Sequence, residues 1–114
     1  FAVSGGVASA VLNCIHDIDP EREVKVERAD GLEECRKLLA LARAGKYDGY
    51  LLEGMGCPGG CVAGAGTLQP IAQSTAAVNQ HKKASTNQHS TRSSYADLLA
   101  GLEEGLFNIA EDED

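Results

Sequence analysis

The first part of the chain has apolar positions at helical spacing. Residues 1–3 are apolar, which we interpret as the end of a buried strand, and residues 4–6 form a predicted turn. The apolar residues that follow predict a helix with one buried face, made of Val7, Val11, Cys14, Ile15 and Ile18. Asp19 precedes Pro20, and since proline disfavours helical backbone in the residue before it, we expect the helix to end there.

A strand, a second helix and another strand follow. Residues 24–28 alternate apolar and charged side chains, which is the period of a half-exposed strand. Asp30 is the predicted N-cap of a helix that ends near Gly45. The predicted buried stripe of this helix contains Leu32, Cys35, Leu38, Leu39 and Ala42. Residues 47–53 are apolar at their centre and predict the next strand.

This order of elements predicts the fold class. Strand, helix, strand, helix and strand in succession produce right-handed crossovers and a parallel sheet. We therefore predict an α/β fold, in which residues 1–55 form a parallel βαβαβ Rossmann-like unit and additional helices follow toward the C-terminus. Ligands of such sheets bind beyond the carboxyl ends of the strands, and residues 54–61 directly follow the third predicted strand.

The rest of the chain is less regular. Residues 71–85 are compatible with a helix whose second half is almost wholly polar, and residues 86–94 are predicted to be a polar linker. Residues 95–110 regain an amphipathic pattern that predicts a C-terminal helix, and residues 111–114 form an acidic tail. Three histidines are predicted to be surface residues: His16, His81 and His89.

Composition and charge exclude several function classes. The net charge of −7 argues against a nucleic-acid partner, because phosphate neutralisation needs clustered Lys and Arg. The sequence contains no apolar run long enough to predict a membrane span and no secretory signal. Because it starts with Phe1 rather than Met, we expect a fragment of a longer, cytoplasmic polypeptide.

The segment EGMGCPGGCVAGAGTLQP, residues 53–70, contains two cysteines, six glycines and two prolines. Cys14 and Cys35 lie on predicted apolar stripes, where a free cysteine behaves as a small hydrophobe, but Cys57 and Cys61 lie where no packing requires a thiol. Their Cys-x-x-x-Cys spacing departs from that of thioredoxin-like pairs and zinc knuckles, and a structural disulfide is rare inside cells. An iron–sulfur cluster explains the composition better, since glycines let backbone N–H groups approach thiolates closely.

This segment resembles the third cluster-binding signature of the FeFe (iron-only) hydrogenases, Met-x-Cys-Pro-Gly-Gly-Cys followed by a glycine-rich run and proline. The strings SGGVASAV and GLEECRKLLALARAGKYDGYLLEGM resemble the segment before that signature, so the similarity covers roughly residues 1–85. The resemblance implies the C-terminal part of the catalytic domain of the large subunit. In that family, four cysteines hold a 4Fe–4S cubane, and one of them bridges it to a two-iron subcluster, which together form the H-cluster.

The resemblance implies a role for each matching position. Cys57 corresponds to a cubane ligand, Cys61 to the bridging cysteine, and Met55 to the methionine that lines the two-iron pocket. Three glycines correspond to the cofactor-binding backbone, whose N–H groups would tune the cluster: Gly59, Gly60 and Gly64. The implied reaction of the parent protein is the reversible reduction of two protons by two electrons to H2.

The sequence also departs from the family pattern. Gly56 stands where the family commonly has alanine, and the signatures Thr-Ser-Cys-Cys-Pro and Met-Pro-Cys-x-x-Lys do not occur here. Half of the ligand set is therefore missing, and we expect the isolated chain to be inactive and to lack the cofactor. The implied partners are the remainder of the catalytic domain, with the other two signatures, and an electron carrier such as ferredoxin or a partner subunit.

Three alternatives remain open at the level of sequence. A hydrogenase-like iron–sulfur assembly protein would share the domain without the hydrogen chemistry. A nucleotide- or flavin-binding module would use SGGV or GAG to hold phosphate at a helix N-terminus. An interaction domain would simply keep its thiols reduced. Glu53, just before the signature, is predicted either to accept protons or to order the loop.

Overall fold

The computed structural model of the protein describes residues 1–96 and 98. Its elements are α1 (Gly6–Ile18), β1 (Lys25–Asp30), α2 (Leu32–Arg43), β2 (Tyr50–Met55) and α3 (Ile71–Ala84), with short 3-10 turns at Cys61–Ala63 and Ser90–Arg92. None of the helices in this part of the chain combines the length and apolarity that a membrane span requires. Except for residues 95, 96 and 98, the predicted C-terminal helix and the acidic tail lie outside the described residues.

The sheet of the described residues has two parallel strands joined through α2. Their register pairs Lys25 with Tyr50 at one end and Asp30 with Met55 at the other. This confirms the predicted β-α-β unit, but residues 1–3 do not form the predicted additional strand. We call residues 1–4 the N-terminal segment. Its backbone forms hydrogen bonds with the loop after β2 instead of with a strand, as described below.

Local sequence signals locate most helix ends correctly. Helix α1 ends at Ile18, directly before Asp19 and Pro20, as predicted. After α2, Gly45 adopts a φ of 83°, which favours glycine, and its N–H donates to the Ala42 carbonyl at 2.9 Å. The Lys46 N–H then donates to the Leu41 carbonyl at 3.1 Å, which completes a Schellman motif.

Asp30 is not the N-cap of α2. The N-cap residue is Gly31, with a φ of 87°, and no side chain caps the helix. Strand β1 runs two residues further than the alternating pattern predicted, so that Asp30 is its last residue. Its carboxylate accepts hydrogen bonds from Ser4 and Gly59, and neither residue belongs to α2.

The core of the described residues is small. The buried apolar side chains are Ala8, Ala29, Leu38 and Val62. Of the predicted stripe of α2, Leu32 and Leu39 are 78% and 64% exposed, and Ile18 of α1 is 82% exposed. The two-stranded sheet covers only part of the predicted face of α2, where Leu38 is buried. The predicted face of α1 is largely wrong, because Val7 and Val11 are exposed as well and the buried residue is Ala8.

The segment after α3 is attached to α1. Thr91 Oγ1 donates to the Asp17 carboxylate at 2.5 Å, and His89 Nδ1 lies 3.1 Å from the same oxygen. The hydrogen bond from Thr91, followed by that from His89, lowers the pKa of Asp17 below its ordinary value. Cys14 Sγ lies 3.1 Å from Ser90 Oγ. His89 therefore packs against α1, whereas His16 and His81 are exposed as predicted.

Candidate functional site

The two closely spaced cysteines lie at the carboxyl end of the sheet. We call residues 56–66 the Cys loop; it begins directly after Met55, the last residue of β2. Because β1 and β2 are parallel, Asp30 lies opposite Met55 at this same edge. The Cys loop thus occupies the position at which open α/β sheets bind ligands, as the order of elements predicted.

Tight turns bring the backbone of the two cysteines together. The Gly60 N–H donates to the Cys57 carbonyl at 2.9 Å, and the Gly64 N–H donates to the Cys61 carbonyl at 3.0 Å. Cys61 also starts the first 3-10 turn. Its side chain is exposed, whereas Cys57 is half-buried, and both thiols are free.

Close approach requires glycine at one position of the Cys loop and favours it at a second. Gly60 has a φ of 95°, and a Cβ atom there would lie 2.7 Å from both the Ala2 carbonyl oxygen and the Ser4 nitrogen. A Cβ at Gly64 would lie 3.4 Å from Cys57 Sγ and 3.2 Å from the Cys61 carbonyl oxygen. The first glycine lets the loop pack on the N-terminal segment, and the second leaves open space beside the Cys57 sulfur.

The Cys loop is also hydrogen-bonded to the N-terminal segment. The Val62 N–H donates to the Ala2 carbonyl and the Ser4 N–H donates to the Gly59 carbonyl, both at 3.1 Å. The Asp30 carboxylate joins this arrangement, since it accepts from Ser4 Oγ at 2.6 Å and from the Gly59 N–H at 3.2 Å. Ala2, Ser4 and Asp30, all distant from the Cys loop in sequence, thus stabilise its backbone through hydrogen bonds.

Glu53 caps the N-terminus of α1. The residue is 6% exposed, and its carboxylate accepts from the backbone N–H groups of Gly5, Val7 and Ala8 at 2.7, 3.0 and 3.1 Å. An anion is stabilised at this end of a helix by the free N–H groups and the helix dipole. Because Glu53 already fills the position that a phosphate would take, the geometry argues against the nucleotide reading of SGGV.

The other candidate residues have separate places. Cys35 Sγ donates to the carbonyls of Met55 and Ala29 at 3.5 and 3.6 Å, so it connects α2 to the ends of both strands. Cys14 lies on α1 beside Ser90. Met55 borders a groove of about 180 Å³ between α1 and β2. Cys14 and Cys35 are thus half-buried and lie outside the Cys loop, as predicted.

The donors present fit part of a metal site. Within residues 1–96 and 98, no group of three or more His, Cys, Asp or Glu side chains is placed to hold a metal ion. The Cys loop nevertheless presents two free thiols, and Gly64 keeps the space beside one of them clear of a side chain. This donor set fits two of the cysteine ligands of an iron–sulfur cluster and not a complete site.

Comparison with known proteins identifies the family. A family model described as the iron only hydrogenase large subunit, C-terminal domain, matches residues 1–65, which is more than half of the 114 residues. The chain belongs to this family, which implies an oxidoreductase with iron–sulfur chemistry as the parent protein. Neither the curated proteins nor the solved structures gave a significant match.

Sequence reasoning missed two residues of this region. Ser4 appeared only as part of a turn, and Asp30 only as a helix cap, yet both contact the Cys loop. The position of Asp30 was a usable signal, because a polar residue at the carboxyl end of a parallel strand lies at the ligand-binding edge. For Ser4 the sequence offers no comparable signal.

Proposed function

We propose that the chain is part of the catalytic domain of an iron-only hydrogenase and supplies two cysteine ligands, Cys57 and Cys61, to its H-cluster. The observation that carries the proposal is the Cys loop, in which two free thiols follow a parallel strand on a backbone attached to the N-terminal segment. The family match agrees with this assignment.

In this proposal the two cysteines have different tasks. Cys57 would hold the 4Fe–4S cubane, Cys61 would be the cysteine shared by the cubane and the two-iron subcluster, and Met55 would line the pocket of that subcluster. The exposure of Cys61 supports this division, because a bridging sulfur must be reached by iron on two sides. When bound, the H-cluster supplies the reversible conversion of two protons and two electrons into H2.

The three glycines act through backbone shape. The N–H groups of Gly59, Gly60 and Gly64 donate to Asp30, to the Cys57 carbonyl and to the Cys61 carbonyl respectively. In this structure these donors are engaged with oxygen acceptors, and their tuning of the cluster stays a prediction. Only Gly64 lies beside a sulfur, since a Cβ atom there would be 3.4 Å from Cys57 Sγ, whereas Gly60 lets the loop pack on the backbone of residues 2–4.

The remaining ligands come from the rest of the catalytic domain. Two thiols cannot complete a site of four cysteines, so we expect the isolated chain to be inactive and to lack the cofactor. Leu32 and Ile71 flank the Cys loop and are 78% and 51% exposed. A Cβ atom added at Gly56 would lie 3.9 Å from Leu32, and one added at Gly59 would lie 3.8 Å from Ile71. Exposed apolar side chains around a site are typical of a surface that another segment covers. An electron carrier such as ferredoxin or a partner subunit would exchange electrons with the cluster.

Iron and acid-labile sulfide analysis of the anaerobically loaded parent protein tests this proposal. We expect Cys57→Ala to lower both contents and to weaken the visible absorption of the cluster, because it removes a thiolate ligand. Cys14→Ala is the matched control, since this half-buried cysteine lies on α1 outside the Cys loop.

Iron and sulfide analysis, together with assays of nucleotide binding and H2 evolution, separates the alternatives. Full iron and sulfide contents in Cys57→Ala would contradict the ligand role. Nucleotide or flavin binding without iron would support the nucleotide-binding module. An assembly protein would bind the cluster but would not evolve H2.

A further inference from the structure

Three residues form a closed ring of hydrogen bonds beside the Cys loop. Ser4 Oγ donates to Asp30 Oδ1 at 2.6 Å, and the Gly59 N–H donates to Asp30 Oδ2 at 3.2 Å. The Ser4 N–H closes the ring by donating to the Gly59 carbonyl at 3.1 Å. The three hydrogen bonds thus engage both oxygens of the Asp30 carboxylate and both the N–H and the carbonyl group of Gly59.

The ring acts at the middle of the Cys loop. Gly59 lies midway in the sequence between Cys57 and Cys61, so a fixed Gly59 backbone restricts the chain that leads to each thiol. The Val62 N–H bond to Ala2 and the close packing of Gly60 on Ser4 restrict the same backbone further along the loop. None of these contacts uses a cysteine side chain, which leaves both sulfurs free for a ligand.

Asp30 is itself held by the sheet. It is the last residue of β1 and is paired in register with Met55. The Gly31 N–H donates to the Met55 carbonyl at 2.7 Å, so the chain stays attached to β2 immediately after Asp30. The position of the carboxylate is therefore fixed by the two strands, and its hydrogen bonds to Ser4 and Gly59 transmit that position to the Cys loop. Hydrogen bonds to an ionised carboxylate are stronger than those between neutral groups.

We infer that Ser4 and Asp30 are positioning residues, which hold the Cys57–Cys61 backbone in its ligand-binding conformation before the cluster is inserted. The inference rests on the proposed function, because it concerns how the two ligands are prepared for the cluster. Such preorganisation lowers the conformational entropy lost on binding, and groups that orient metal ligands without touching the metal contribute strongly to affinity.

Hydrogen exchange of the cluster-free parent protein tests the positioning role without the cofactor. Asp30→Ala should speed the exchange of the Gly59 amide by about tenfold or more, because it removes the acceptor of that N–H. Asp30→Asn should largely restore protection, since its amide oxygen can accept from Gly59 while its amide nitrogen donates to the Ser4 hydroxyl. Asp48→Ala, at an exposed turn, is the control and should leave the exchange of Gly59 unchanged.

Exchange in α2 separates a local effect from general unfolding. If Asp30→Ala speeds exchange at Gly59 but leaves the amides around Leu38 protected, the carboxylate acts locally, as inferred. Equal acceleration at both places in Asp30→Ala and in the milder Ser4→Ala variant would overturn the inference, because the ring would then support the whole fold. Wild-type protection of Gly59 in Asp30→Ala would overturn it as well.

Cluster retention provides the second readout. In the loaded parent protein, iron loss to a chelator should be about 10- to 100-fold faster in Asp30→Ala than in the wild type, with Asp30→Asn close to the wild type. Equal loss rates in the wild type and Asp30→Ala would contradict the positioning role while leaving the proposed function in place. A wild-type protein that binds no iron would contradict the proposed function, and the exchange results would still report on the ring.

Discussion

Replacing Cys61 with alanine is expected to abolish H2 evolution by the matured parent protein while leaving its fold intact. The loss should be complete, because the proposed bridging sulfur is the connection between the cubane and the two-iron subcluster. The fold should survive, since the Cys61 side chain is exposed and its carbonyl still accepts from the Gly64 N–H. We expect the free energy of unfolding to change by less than about 0.5 kcal/mol.

Paired measurements of H2 evolution and urea unfolding check this expectation. Cys14→Ala serves as the control, because it removes a thiol from α1 without touching the Cys loop. It should keep both activity and stability near those of the wild type. If Cys61→Ala retained H2 evolution, the assignment of this cysteine to the H-cluster would be wrong.

The second large effect is expected from Gly60→Ala. A Cβ atom at this position would lie 2.7 Å from the Ala2 oxygen and the Ser4 nitrogen and 2.9 Å from the Val3 carbonyl carbon, all of which are backbone atoms. With a φ of 95° and a ψ of −168°, Gly60 also has a backbone conformation that residues with a side chain hardly adopt, which adds its own cost. Together these should lower the free energy of unfolding by roughly 3–4 kcal/mol.

Gly31→Ala separates the two causes. Gly31 has comparable backbone angles, with a φ of 87° and a ψ of 153°, but a Cβ atom there would make only ordinary contact with the Pro58 side chain at 3.5 Å. It should therefore show mainly the backbone cost, about 2 kcal/mol. Urea unfolding of both variants measures the difference; equal losses would mean that the close packing of Gly60 on the N-terminal segment adds nothing to stability.

Local patterns predicted the framework of the fold. The alternation before Asp30 and the helical spacing after it identified the β-α-β unit, and Gly45 marked the end of α2. The two thiols were also expected at the carboxyl end of a strand, where the Cys loop begins. These features depend on residues near one another in sequence, so periodicity and turn chemistry were sufficient.

The contacts that hold the site could not be predicted in the same way. Asp30 is 29 residues from Gly59, and Glu53 is 48 residues from Gly5, so no local pattern connects these pairs. The stripe of α2 likewise indicated which face is apolar but not how much of it the sheet covers, and Leu32 is exposed as a result. Hydrogen bonds between distant residues, and the share of a helix face that the sheet covers, depend on how the elements are arranged in space. Periodicity does not describe that arrangement.

Residue-resolved alkylation tests the central claim that both thiols of the Cys loop bind one cluster. The parent protein would be labelled with iodoacetamide in its loaded and chelator-stripped forms, and each cysteine quantified by mass spectrometry. Bound thiolates are unavailable for alkylation, so we predict that Cys57 and Cys61 are both protected when loaded and both labelled when stripped. Cys14 should label to the same extent in the two forms. Equal labelling of either Cys57 or Cys61 in the loaded and stripped forms would contradict the account.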